Sequence, residues 1–238
     1  MVVDAFTVIS GWPMLSTELS ADEFVNSLTK NKVDKACVIS SKGIFFDAHS
    51  GNETTISICN DFSERLLPIG TIDPRVFIDG ELAYCVNNNI KMFALFPETQ
   101  NWDINSLIGR KLFTEVLKNN LPVMIESSRN STVTDIYDAV KNASSPIILN
   151  EVSLYNLSEA VLLLEQNENI YLSTRLLSGA DTIEMLVERF GAKRLMFSSR
   201  MPVSSFSAAF LATRYARISQ SDLTAILGNN IAEILKIQ

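Results

Sequence analysis

The feature that most constrains this chain is a repeated alternation. Eight times a short apolar run gives way to a polar turn and then to an amphipathic segment. The apolar runs Val2–Ile9, Lys35–Ile39, Leu66–Ile72, Ile90–Phe96, Pro122–Ile125, Ile147–Leu149, Ile170–Ser173 and Leu195–Ser198 read as strands. Between and after them, helices are predicted over Ala21–Leu28, Asn52–Ser63, Val76–Val86, Leu107–Lys118, Val133–Val140, Leu157–Glu165, Thr182–Phe190, Ser205–Ala216 and Asp222–Leu235, the last interrupted by Gly228-Asn229-Asn230. Ser20 with Glu23 forms a capping-box pattern, Gly191 is a helix stop, and Ser40–Ser50 reads as a polar loop. Strands that alternate with helices pair in parallel as βαβ units. Eight such units in 238 residues match a closed (β/α)8 barrel of the TIM type, which takes about 250 residues. A doubly wound open sheet is the runner-up, but no strand is followed by a glycine-rich phosphate turn. No linker or internal repeat divides the chain, so residues 1–238 are expected to form a single domain.

Composition removes several functions. The chain has one histidine, His49, so no site can use two imidazole ligands. Its three cysteines, Cys37, Cys59 and Cys85, lack metal-type spacing and read as buried, reduced thiols. The formal net charge of −7 argues against nucleic acid or an acidic membrane surface as partners. No apolar run approaches the roughly 18–20 residues that span a bilayer. The N-terminus lacks the basic and apolar regions of a signal peptide, so a cytoplasmic location is expected.

Several segments, taken in order, resemble one family. These are Asp4-Ala-Phe-Thr-Val-Ile9 on the first strand, Ile90–Pro97 with Trp102, and Leu121-Pro-Val-Met-Ile-Glu126 on the fifth strand. Ile147-Ile-Leu-Asn-Glu151, Phe197-Ser-Ser-Arg-Met-Pro202 and Ile226-Leu-Gly-Asn-Asn-Ile231 complete the set. Together they resemble the amidohydrolase-related barrels, a family of metal-dependent hydrolases. The resemblance implies a barrel whose strand ends carry an Asp-x-His-x-His motif, two further histidines and an aspartate around metal ions. At the matching positions this chain has Phe6, Val8, Glu126, Glu151 and Arg200, with Ala94 where a lysine is common. Water activation by zinc needs several nitrogen or oxygen ligands and an open position. The resemblance therefore implies the fold, while no metal or other cofactor is expected.

The remaining candidates sit at strand ends. Glu126 and Glu151 directly follow apolar strands, where glutamate is seldom buried unpaired. They could form a structural salt bridge or serve as acid–base groups. Arg75, Arg129, Arg175 and Arg200 also follow strands, on the face where barrels bind ligands. Their planar guanidinium groups suit carboxylates. Lys30, Lys32, Lys35, Lys118, Lys141 and Lys193 gather before strands, where helix C-termini favour cations. The pairs Ser127-Ser128 and Ser198-Ser199 lack the Gly-x-Ser-x-Gly elbow of a nucleophile and read as loop caps. Phe6 and Val8 read as barrel-interior packing, and His49 as a loop hydrogen-bonder.

Two functional readings follow. In the first, the chain is a degenerate amidohydrolase-like barrel, a pseudoenzyme. It binds a small anion or carboxylate at the old mouth, or acts as a scaffold with an active relative or as a homo-oligomer. In the second, it is a divergent metal-independent hydrolase or lyase acting on a small carboxylate. Glu126, Glu151 and Arg200 are then the catalytic candidates, with Asp4, Arg75, Trp102, Arg129 and Arg175 binding the ligand. Arg200 is expected to bridge at least one of the two glutamates.

Overall fold

The computed structural model describes residues 1–13, 15–16, 18–75, 78–129, 132–141 and 143–237. Eight strands lie in sequence order in one parallel sheet. They are β1 Val3–Ile9, β2 Lys35–Ser40, β3 Leu66–Thr71, β4 Met92–Leu95, β5 Val123–Glu126, β6 Ile147–Asn150, β7 Ile170–Ser173 and β8 Leu195–Met196. The helices are α1 Ala21–Lys30, α2 Ser41–Phe45, α3 Ala48–Asp61, α4 Ile78–Asn87, α5 Leu107–Leu117 and α6 Thr132–Val140. They continue as α7 Leu157–Gln166, α8 Thr182–Phe190, α9 Phe206–Arg214, α10 Gln220–Thr224 and α11 Asn230–Leu235. The first two residues of the expected helix Val76–Val86 lie outside the described residues.

The sheet curls into a nearly closed (β/α)8 barrel. Its seam is made by the segment after β8 rather than by β8 itself. Ala5 N donates to Phe197 O at 2.9 Å, Arg200 N to Phe6 O at 2.8 Å, and Val8 N to Met201 O at 2.9 Å. The last strand is thus shorter than the predicted Leu195–Ser198, because the chain leaves the β7 ladder after Met196 and continues along β1.

Two expectations about helices need correction. Ser40–Ser50 is not a loop: Ser40 caps α2 and Asp47 caps α3, and the two helices meet where Gly51 abuts Gly43. A Cβ on Gly51 would lie 2.1 Å from Gly43 N, so only glycine permits this approach. Gly228-Asn229-Asn230 is not a break either. Gly228 and Asn229 end a π-turn, Ala225–Asn229, that joins α10 to α11, and Asn230 opens α11. Such a turn loosens the regular hydrogen-bond ladder, and the Ile226 carbonyl accepts from Phe197 N at 2.9 Å. Asn230 Nδ2 donates to the Ala192 and Leu195 carbonyls. The closing segment therefore pins β8 and the seam.

Strand alternation sorts the apolar residues into an inside and an outside. Phe6, Val8, Cys37, Ile39, Ile69, Met92, Ala94, Phe96, Met124, Ile148 and Met196 cluster along the barrel axis. Phe6 and Val8 are interior packing, as their residue types indicate, and Phe6 lies 6.2 Å from Phe96 between ring centroids. Two further clusters fill the space between strands and helices. All three cysteines are buried free thiols. Burial pushes Cys59 up to about 12, and it pushes Cys37 and Cys85 upward too. No helix among the described residues is long and apolar enough to cross a membrane.

Candidate ligand site at the strand ends

On β3, β5 and β6 the interior parity continues past the apolar layer into polar residues. Thr71 stands two residues beyond Ile69, Glu126 two beyond Met124, and Asn150 two beyond Ile148. All three are buried, and β5 and β6 pair Glu126 directly with Asn150. A polar layer thus caps the apolar column at the C-terminal ends of the strands, where barrels of this kind bind their ligands.

Above it lies a cluster of one carboxylate and two guanidinium groups. Glu151 Oε1 accepts from Arg175 Nη2 at 2.9 Å and from Arg200 Nη1 at 2.5 Å. The side chains of Glu151, Arg175 and Arg200 are 9%, 11% and 15% exposed. Arg175 Nη1 also donates to Ser204 Oγ at 3.2 Å. The Arg200 guanidinium carbon sits 4.4 Å from the centre of the Trp12 ring, a cation–π contact. Trp12 is in turn held edge-on by Phe45 at 4.6 Å. The backbone of Arg200 is fixed by its bond to Phe6 O. Both Glu151 (φ 72°) and Arg200 (φ 59°) adopt the left-handed conformation, which costs a non-glycine residue about 1–3 kcal/mol. Strain of this kind gathers where surroundings fix a side chain for a purpose. Burial lowers the pKa of Arg175; the Glu151 carboxylate opposes that shift and the neighbouring Arg200 adds to it.

Arginine stays protonated in proteins, so two positive groups share one carboxylate oxygen. Among the described residues, the buried Nε atoms of Arg175 and Arg200 have no hydrogen-bond partner, and neither does Asn150 Oδ1. Buried donors without acceptors are uncommon and unfavourable.

Glu126 is handled separately. Its carboxylate accepts from Glu98 N at 3.1 Å, Thr99 N at 2.8 Å and Thr99 Oγ1 at 2.5 Å. Arg200 therefore bridges Glu151 and not Glu126. Burial raises the pKa of Glu126. The Thr99 bonds oppose the shift, and the charges of Glu151 and Glu98 add to it. Asp4, fully buried, accepts from Ser199 Oγ at 2.5 Å, Ser199 N at 3.0 Å and Phe6 N at 3.2 Å. Burial nevertheless pushes it up to about 7. Asp4 thus secures the seam through the second serine of the Ser198-Ser199 pair, which caps a loop as expected. Ser198 instead pairs with Ser173 at 3.3 Å.

The other sequence candidates stand apart from this cluster. Arg75 is exposed and paired with Asp73 at 2.7 Å. Arg129 is exposed beside Glu98 at 3.8 Å. Trp102 donates to Gln100 Oε1 at 3.1 Å and, with Arg129, borders a separate cavity of about 360 Å³. Glu98 accepts from Ser128 N and Arg129 N, both at 2.9 Å, and from Thr132 Oγ1 at 2.8 Å, and so organises the loop after β5. His49 lies in the first turn of α3 rather than in a loop. It bonds Glu81 at 2.8 Å and meets the Tyr84 ring edge-on. Sequence reasoning missed Trp12, Ser204, Glu98 and Thr99. Only Trp12 had a usable signal, as an aromatic in the turn directly after the first strand.

The positions that the resemblance matched to metal ligands carry other side chains or make other bonds. Phe6 and Val8 offer carbon, Glu126 is bonded by Thr99, Glu151 is held by two arginines, and Arg200 is itself a cation. No group of three or more His, Cys, Asp or Glu among the described residues is placed to hold a metal.

No family model and no curated protein matches the chain. Solved structures do. A probable 2-pyrone-4,6-dicarboxylic acid hydrolase from Acinetobacter baumannii, with citric acid bound, superposes with a TM-score of 0.78 at 12% identity, over 99% of both chains. A 2,6-dihydroxybenzoate decarboxylase from Rhizobium gives 0.72 at 16% identity over 99% of this chain and 98% of that one. A 5-carboxyvanillate decarboxylase from Sphingomonas paucimobilis gives 0.75 at 12% identity over 100% and 99%. The structural neighbours are thus amidohydrolase-like TIM-barrel hydrolases and decarboxylases, and this chain shares their fold from end to end.

Proposed function

We propose that this chain is a barrel without a metal site that binds a small carboxylate at its C-terminal mouth and does not catalyse hydrolysis through a metal ion. The observation that carries the reading is the Arg175–Glu151–Arg200 cluster, in which two buried cations share one carboxylate oxygen and keep Nε donors that have no partner among the described residues. A small carboxylate supplies the missing charge and acceptors, and guanidinium suits it in geometry. The neighbours support the ligand class, because one holds citric acid and others act on aromatic carboxylates. The net charge of −7 opposes anions at long range. At physiological salt the Debye length is about 8 Å, so the local cluster decides. A thermal-shift screen with acetate, citrate and benzoate tests the reading. Stabilisation that disappears in Arg175→Met and Arg200→Met supports it, and no shift with any carboxylate, in the wild type or after Glu151→Gln, refutes it. A scaffold role, with an active relative or as a homo-oligomer, is then the surviving form of the first reading, and size-exclusion chromatography with light scattering tests it.

A second reading has its own observation. Glu126 is a buried carboxyl with a raised pKa, beside the same cluster. Such a group can transfer a proton to or from a bound carboxylate, as lyase or hydrolase chemistry requires. Turnover of an aromatic carboxylate without added metal, abolished in Glu126→Gln, establishes this reading.

A further inference from the structure

We propose that the Glu151 carboxylate is an internal stand-in for the ligand, closing the seat between Arg175 and Arg200, and that a small carboxylate binds by displacing it. The inference rests on the carboxylate-binding reading above and adds how that site is regulated.

Four observations carry it. Glu151 meets both arginines through a single oxygen, Oε1, so it does not use the two-oxygen, two-nitrogen fork that makes guanidinium–carboxylate pairs strong. Among the described residues, the buried Nε atoms of both arginines have no hydrogen-bond partner. An untethered carboxylate can turn to face an Nε–Nη2 edge, whereas Glu151 is fixed by its backbone. That backbone is left-handed at Glu151, a conformation that favours glycine and whose cost the cluster must offset. Finally, the way out is short. Within four residues the chain reaches Leu154 and Tyr155, which are 62% and 87% exposed.

The arrangement has a physical reason. Two buried guanidinium groups with no counter-charge are strongly unfavourable, so the seat needs an occupant when no ligand is present. A tethered carboxylate fills that need imperfectly, which keeps it displaceable. The competitor also sets the apparent affinity. If Glu151 holds the seat about nine-tenths of the time, the ligand's apparent Kd rises about tenfold.

The test uses the full-length protein with acetate, benzoate and chloride as probes, read by calorimetric titration and thermal shift. In Glu151→Gln the affinity for acetate and benzoate should rise by about tenfold over the wild type. In Glu151→Gly, which also relieves the left-handed backbone, the protein should melt early. Acetate should restore its stability saturably, and equal chloride should not. Arg200→Met should abolish binding in both backgrounds. If the wild type binds carboxylates and neither Glu151 variant binds them more tightly, Glu151 only positions the arginines and the inference is overturned, with the carboxylate-binding reading intact. If no carboxylate binds the wild type or either variant, that reading itself falls and takes this one with it.

Discussion

Two buried carboxylates, Asp4 and Glu151, show how differently the same chemical group can be held. Asp4 has three donors and no cation among its bonded partners, and burial pushes it up to about 7. In an unfolded chain its pKa is near 3.9. Between those values the folded state holds a proton that the unfolded state has released. Stability from this group is therefore complete below about pH 4, falls as pH rises to about 7, and is flat above that. The slope is at most about 1.4 kcal/mol per pH unit. Asp4→Asn should remove it, so denaturant midpoints measured from pH 4.5 to 8 should fall less steeply for the variant than for the wild type. Glu151 presents the opposite case, a carboxylate with two cations. Arg200→Met leaves Glu151 paired with Arg175 through the bond at 2.9 Å. Glu151→Gln strands two cations at once, and breaking a buried pair costs about 3–5 kcal/mol. Without added carboxylate, Glu151→Gln should thus be the less stable of the two in chemical denaturation. The reverse order would mean that Arg175 and Arg200 draw their compensation from elsewhere.

At the scale of elements, what the sequence discloses depends on whether a signal is local. The strands were readable because each is a short apolar run, and β7 and α8 have the predicted ends. The capping box at Ser20 and Glu23 closes as its pattern indicates. Strand-end positions also marked Arg175, Arg200 and Glu151 in advance. The α2–α3 pair was hidden, because its polar residues resemble a loop and its packing depends on two glycines eight positions apart. Gly51→Ala tests that packing. Its Cβ would meet Gly43 backbone atoms at 2.1 and 2.2 Å, and backbone cannot yield as a flexible side chain does. Overpacking should cost about 1–3 kcal/mol or more, read as a fall in the thermal midpoint, whereas Gly80→Ala, with nothing within 4 Å, should leave it unchanged or slightly raised. The partners of Glu126 were hidden for a different reason. Glu98 N and Thr99 bind it from the loop after β4, and loop register across a barrel mouth leaves no periodic trace in the sequence. Glutamates at the ends of β5 and β6 therefore looked equivalent, although only Glu151 faces the arginines.

For the whole molecule, the question is what stabilises the top of the barrel. The apolar column ends in Phe6, Val8 and Phe96. The buried carboxylates Glu126 and Asp4 are bonded by hydroxyl and backbone donors. The positive charge comes from Arg175 and Arg200, fixed to the chain by covalent bonds and braced by Ser204 and Trp12. A fixed charge differs from a bound ion in a measurable way. Anything that binds the native state alone stabilises it in proportion to its concentration over Kd, so a metal-dependent barrel melts earlier in chelator and later in added metal. This barrel should do neither. Elemental analysis of the purified protein should find no stoichiometric zinc, manganese or iron, and its thermal midpoint should be the same in chelator and in excess zinc. Carboxylates can bind hard cations, and this makes the experiment decisive. About one metal per chain, lost on changing Glu126 or Glu151 to glutamine, would show that these two side chains leave their partners to ligate an ion. The guanidinium cluster would then have to open, since Glu151 cannot serve two arginines through Oε1 and a metal at the same place.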